Sequence, residues 1–182
     1  LFDSRMGVLE PGIICPTDGH TYIDTPGYFG HIELARPVFF IQHIKEIIKI
    51  SKLICYKCSK LLVNKNKHQH ILEYTPEKRW HYLNNVRGTF SSCGSDTDDG
   101  CGCVQPVKIR LEGFATIKAS IESENDETGE KSIVETELDP DTILRQFTRI
   151  SDEDVVFMGF SPIWSRPEWM VCKVLPVPPP AV

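Results

Sequence analysis

Long apolar runs are missing from this chain of 182 residues. Its most hydrophobic stretch, PVFFIQHIKEIIKI, already carries Lys45, Glu46 and Lys49, which makes it too short and too charged to span a bilayer. No secretory signal is visible either. The chain opens on LFDSRMGVLEPG without an initiator Met, a start that suggests a piece of something longer. The proline-rich end, LPVPPPAV, reads as an extended segment leading onward. A phosphate-binding glycine loop, an H-E-x-x-H helix and a cluster of catalytic carboxylates are also absent, so no self-contained active site of those kinds is expected. There is no internal repeat and no long low-complexity linker. What is present, 41% hydrophobic and 25% charged residues, suits one ordinary domain or two small ones.

The net charge of −5 hides a strong segregation. Between Arg36 and Arg87 eleven Lys and Arg face three Asp and Glu, a net of +8. Between Glu122 and Asp141 nine acidic residues face one Lys, a net of −8. The basic block can face nucleic acid or an acidic partner, or simply be a solvated surface. The acidic block reads as a solvated loop tip between strand-like segments.

Seven cysteines stand at positions 15, 55, 58, 93, 101, 103 and 172. Without a secretory signal, metal binding or burial explains them better than disulfides. Cys55 and Cys58 form a C-x2-C knuckle, whose tight turn brings two thiolates to one side. Cys93, Cys101 and Cys103 in CGSDTDDGCGC offer the second pair of a tetrahedral zinc site. The ranking is Cys55 and Cys58, then Cys101, then Cys93. Cys103 is the spare and replaces Cys101 if the turn is built differently. Cys172, inside EWMVCKVL, reads as a core thiol. The histidines His43, His68, His70 and His81 read as surface residues rather than ligands.

Residues 37–51 predict an amphipathic helix, with Pro37 in its first turn and Phe40, Ile41, Ile44, Ile47 and Ile48 on one side. TPEKRWHYLNNVRG predicts a second, with Thr75 as N-cap, Pro76 next and Gly88 beyond the last turn. VKIRLEGFATIKASIES and SIVETEL alternate as strands of a small antiparallel sheet. DPDTILRQFTRI and SDEDVVFMGF predict two short helices, the second opened by Ser151 with Asp154 in a capping-box-like position. RPEWMVCKVLPVPPP reads as a strand running into polyproline geometry.

The opening loop, CPTDGHTYIDTPGYFGH, has one cysteine where a closed zinc site needs four donors. Its meaning comes from a wider likeness. DSRMGVLEPGIICPT, PGYFGHIELARPVF, CYKCSKLL, GCGCVQP, RISDEDVVFMGF and SRPEWMVCKVLPVPPPAV stand in the order found in the largest subunit of DNA-dependent RNA polymerase. Along essentially its whole length the chain resembles that family. It is most similar to the eukaryotic polymerase II type and its relatives in large DNA viruses.

The resemblance implies the N-terminal part of the subunit, in the mobile clamp that closes over template DNA and the RNA–DNA hybrid. The fold expected is α+β, a helix-rich zinc-stabilised clamp-core fragment with a small antiparallel sheet. Three regions follow: 1–36 a degenerate zinc loop, 37–104 a helical zinc-binding region, and 105–182 the sheet, two short helices and a proline-rich exit strand. The family's second clamp zinc implies Cys55, Cys58, Cys93 and Cys101 as ligands. Its first has the pattern C-x2-C then C-x2-H. Here Cys15 is kept, but Asp18, Thr25 and Tyr28 replace the other three ligands. Thr and Tyr are poor zinc ligands at neutral pH, so the loop is expected to be metal-free, its turns kept by packing and hydrogen bonds. A rescued site would have to use Cys15, Asp18, His20 and His31. Such a loss suggests a divergent lineage, with a nuclear enzyme or a cytoplasmic viral factory as the compartment.

The parent enzyme would be a nucleotidyltransferase whose magnesium belongs to a downstream carboxylate loop, leaving this part without catalytic residues. Expected partners are other polymerase subunits, template DNA and the hybrid, with no membrane. The competing reading is a stand-alone zinc-containing protein-interaction module.

Overall fold

A computed structural model describes residues 2–86, 90–97, 99–124 and 131–180. Two compact units divide the chain: residues 1–37 with 172–182 form one, and Val38–Val171 form the other. No described helix is long and apolar enough to cross a membrane.

The fold is α+β, but helix-rich overstates it. Among the described residues the α-helices are short: α1 (Ile44–Ser51), α2 (Pro76–Val86), α3 (Pro140–Thr148) and α4 (Asp152–Phe157). The strands among the described residues are β1 (Gly30–Phe39), β2 (Lys108–Glu112), β3 (Thr116–Glu124), β4 (Lys131–Leu138) and β5 (Val171–Val177). β1 and β5 make a two-stranded sheet, and β2, β3 and β4 an antiparallel meander.

The helix expected from residue 37 begins only at Ile44. Pro37 instead lies in β1, where a two-stranded sheet leaves an edge on which a missing N–H costs little. A 3-10 turn over Ile41–His43 then feeds α1. Ile44, Ile47 and Ile50 are buried at helical spacing, whereas Ile41, placed on the apolar face by the sequence pattern, is 67% exposed. α2 starts at Pro76 as expected, and Gly88, read as lying beyond its end, falls outside the described residues. RPEWM also departs from expectation: Pro167–Met170 is a 3-10 turn, and the strand starts at Val171.

The meander runs from Lys108 opposite Ser120 to Glu112 opposite Thr116, then from Ile117 opposite Leu138 to Glu124 opposite Lys131. Ile117 and Ala119 point into the core, while Arg110 on β2 meets Glu135 on β4 at 2.8 Å on the solvent side. The acidic block is therefore only partly a tip, because Glu135 and Glu137 belong to β4. Residues 125–130 of that block lie outside the described residues.

α3 and α4 close the core of the larger unit with Ile143, Phe147, Val155 and Met158 fully buried. Ser151 caps α4, its hydroxyl accepting from the Asp154 N–H at 3.2 Å. The Asp154 carboxylate does not complete a capping box. It accepts instead from Lys65 Nζ at 2.7 Å, which anchors the cysteine-knuckle segment to this helix. Gly159, in the left-handed region at φ 93°, ends α4 against Pro76. A Cβ at that glycine would lie 2.3 Å from the Pro76 carbonyl oxygen.

Candidate metal centre

The knuckle follows directly after Leu53 and Ile54, both buried in the core. The Cys55 N–H donates to the Lys60 carbonyl at 2.8 Å and the Ser59 N–H to the Cys55 carbonyl at 3.0 Å. Closing so tight a turn puts Ser59 at φ 64°, unusual for a residue with a Cβ. The second arm is a narrow loop. Cys93 donates to the Cys103 carbonyl at 2.9 Å, and Gly102 donates back to the Cys93 carbonyl at 3.0 Å. At its neck the chain passes against itself with no room for a side chain. A Cβ on Gly100 would lie 2.2 Å from the Gly94 Cα. The glycines flanking this arm are thus a steric requirement for bringing Cys93 and Cys101 together.

The sulfurs of Cys55, Cys58, Cys93 and Cys101 all lie within 4.8 Å of one another. Cys55 is 3.6 Å from Cys101 and Cys58 is 3.7 Å from Cys93. A disulfide needs about 2.0 Å. Tetrahedral thiolates around zinc, at Zn–S of about 2.3 Å, are about 3.8 Å apart. The spacing therefore fits an ion between the sulfurs and rules out covalent pairs. Cys103 lies outside this group, its thiol directed to the Val104 carbonyl at 3.4 Å.

Ionisation within the cluster is uneven. Burial opposes it at Cys55, yet the backbone N–H groups of Cys58 and Lys57, with the neighbouring thiols, outweigh burial and bring it down to about 7. Burial, with Cys55 and Cys101 alongside, pushes Cys58 up. Burial, and then the Cys55 and Cys58 thiols, push Cys93 up to about 12. One thiolate is accommodated by hydrogen bonds, but four need a cation among them.

Charged side chains lock the two arms together. Lys60 Nζ donates to the Asp99 carboxylate at 2.8 Å and to the Asp99 carbonyl at 2.9 Å. Asn64 Nδ2 donates to the Asp96 carbonyl at 2.7 Å, and Lys67 pairs with the Asp96 carboxylate. These contacts give Asp96 and Asp99 a structural task that the sequence reading did not assign. They also occupy lysines counted in the basic block. Lys49 pairs with Glu46, and Arg79 donates to the carbonyls of Val156, Leu72 and Tyr74.

The opening loop, in the smaller unit, is organised differently. Asp18 sits at its centre with a side chain only 10% exposed. Its Oδ1 accepts from the His20 N–H at 3.0 Å. Its Oδ2 accepts from the Thr25 hydroxyl at 2.8 Å and from the Tyr28 hydroxyl at 3.0 Å. The His20 N–H first, then Thr25, Tyr28 and the Cys15 thiol, hold this carboxyl well below the usual range. Cys15 is fully buried. His31 is exposed, and no group of described residues around it gathers three metal-binding side chains.

Of the other residues singled out from sequence, Cys172 is buried with its thiol 3.3 Å from the Val174 carbonyl. His43, His70 and His81 are exposed, while His68 is half-buried and shares a hydrogen bond with the Tyr82 hydroxyl at 3.1 Å. Sequence reasoning missed Gln105 and Gln146, both buried beside the knuckle. No spacing pattern marks them, and only their long-range contacts do.

Comparison with known proteins identifies the family. The family described as RNA polymerase Rpb1, domain 1, matches residues 1–182. The chain is 35% identical over 188 aligned residues to the DNA-directed RNA polymerase subunit Rpo1N of Methanocaldococcus jannaschii. The match covers 100% of this chain and 13% of that protein.

Proposed function

Because the chain belongs to the family of RNA polymerase Rpb1, domain 1, we propose that it serves as the N-terminal clamp part of the largest subunit of a DNA-directed RNA polymerase. It would work beside other polymerase subunits, helping to hold template DNA and the RNA–DNA hybrid during nucleotidyl transfer. The observation that carries this reading is a match along the entire chain that includes the four-cysteine centre. Magnesium for the reaction would be held elsewhere in the enzyme, and this region supplies no reacting group.

Zinc is the metal we assign to Cys55, Cys58, Cys93 and Cys101. A set of four thiolates with no open position is the donor set of a structural site. The ion would stiffen the junction between the knuckle, the core helices and the arm 93–103, letting the region move as a body. The opening loop needs no ion, because the Asp18 carboxylate already spends its acceptors on internal donors.

The basic block contributes less free charge than its count of +8 suggests. Lys60, Lys65 and Lys67 are paired with Asp99, Asp154 and Asp96. Nucleic-acid affinity of the chain alone is therefore expected to be weak and to fall further as salt is added. Large exposed apolar side chains such as Phe114 (90%) and Trp164 (82%) suit a part seated in a bigger assembly.

The test is a photo-crosslinker placed at exposed Lys78 or His81 in the assembled polymerase, stalled on a DNA template with a short transcript. Crosslinks to nucleic acid that disappear without template support clamp contact. Crosslinks to protein alone would contradict DNA holding by this surface.

A further inference from the structure

Gln105 is buried, 4% exposed, and every hydrogen-bonding atom of its carboxamide has a partner at the cysteine centre. Its Oε1 accepts from the Tyr56 N–H, inside the knuckle, at 2.9 Å. Its Nε2 donates to the Cys103 carbonyl at 2.7 Å and to Cys55 Sγ at 3.3 Å. The reverse orientation of the amide would set its oxygen against a carbonyl and a sulfur, so the partners themselves fix which way it points. Its backbone N–H donates to the Ser91 carbonyl at 2.9 Å, holding the residue to the segment that enters the second arm. One side chain thus touches the first knuckle through Tyr56 and Cys55, and the second arm through Cys103.

We propose that Gln105 is a positioning residue of the metal centre: it orients the Cys55 sulfur by a direct N–H···S bond and sets the separation of the two cysteine arms. The role rests on the reading of the four cysteines as metal ligands. A hydrogen bond to a metal-bound thiolate withdraws charge from the sulfur and fixes the direction of its lone pairs. Groups that hold a ligand in this way are worth about 10–100-fold in metal affinity. Gln146 marks the contrast. It donates to the Tyr56 carbonyl at 2.8 Å, on the same knuckle residue, yet makes no bond to sulfur. Gln146 supports the turn, whereas Gln105 supports both the turn and the ligand.

The experiment is a cobalt(II) titration of the full 182-residue chain, followed by thiolate-to-cobalt charge transfer and by competition with zinc. Gln105→Met and Gln146→Met keep side-chain bulk and remove the donors. Q105M is expected to bind about 10–100-fold more weakly and with a displaced charge-transfer band. Q146M is expected to keep the wild-type band. A Q105M spectrum superimposable on wild type, with unchanged affinity, overturns the role of Gln105 and leaves the cysteine centre standing. A wild-type chain without a tetrahedral thiolate spectrum overturns the metal reading itself. Should Q105M not fold, wild type loaded with the spin-half cadmium isotope decides the matter by NMR. A scalar coupling between the metal and a Gln105 Nε2 proton is expected, and its absence overturns the proposal.

Discussion

Two loops in this chain gather polar side chains at a point, and they do so with opposite chemistry. Around residues 55–58 and 93–101 four sulfurs converge, two of them, Cys58 and Cys93, with ionisation made harder by burial and by the neighbouring Cys55 thiol. Around residues 15–28 one carboxylate stands at the centre, and everything facing it donates. The first arrangement is a set of acceptors in want of a cation. The second is an anion already neutralised by N–H and O–H groups. The same geometric task, closing a loop that has little core of its own, is solved once by gathering ligands and once by gathering donors.

The contrast can be broken most severely at the sulfurs. Cys58→Ser replaces a soft thiolate by a hydroxyl that binds zinc poorly. Metal content should drop from one per chain toward none, and amide exchange should accelerate through residues 55–67 and 90–105, read by hydrogen exchange with mass detection. The same variant should leave exchange at residues 15–28 unchanged. Gly100→Ala comes next, since its Cβ would meet the Gly94 Cα at 2.2 Å and neither backbone can yield cheaply. A cost of about 1–3 kcal/mol is expected, with weaker metal binding, measured by denaturant unfolding and zinc competition.

On the other side, Asp18→Ala removes the shared acceptor, and only the loop 15–28 should lose exchange protection, with metal content untouched. Acid should do the same by protonation. Because the folded Asp18 carboxyl ionises below its unfolded range, its contribution is complete above about pH 4. It fades as the pH falls through the lowered native value. The carboxyl faces the Cys15 thiol, the His20 imidazole and the Tyr28 phenol, none of which becomes more negative on acidification. Local exchange rates across a pH series would check this. Tyr28→Phe deletes one of several donors and should give the smallest change, a modest rise in exchange near residue 28.

Local chemistry made much of this legible in the sequence. The C-x2-C spacing and the glycine-flanked second group bring together sulfurs that the structure also gathers, and Ser151 caps its helix because capping is decided within four residues. Alternation in 108–138 reported a sheet whose strands are neighbours in sequence. Pro37 misled because helical spacing from Phe40 to Ile48 can be extended backward. Pairing with a strand that begins at Val171 leaves no local trace. Asp154 was read as half of a capping box, and its bond to Lys65, distant in sequence, lies beyond any short pattern. Gln105 and Gln146 were invisible for the same reason. In the opening loop the family resemblance implied that three ligand positions are lost. That Thr25 and Tyr28 both turn to Asp18 became apparent only once the loop was folded.

Metal content per chain, measured by mass spectrometry on the wild type, on Cys55→Ser with Cys58→Ser, and on Asp18→Ala, tests the contrast most directly. The expected result is one zinc in the wild type, none in the double cysteine variant and one in Asp18→Ala. Two zincs in the wild type, with one lost on changing Asp18, would show that the opening loop is a metal site after all. No zinc in the wild type would contradict the reading of the cysteine centre.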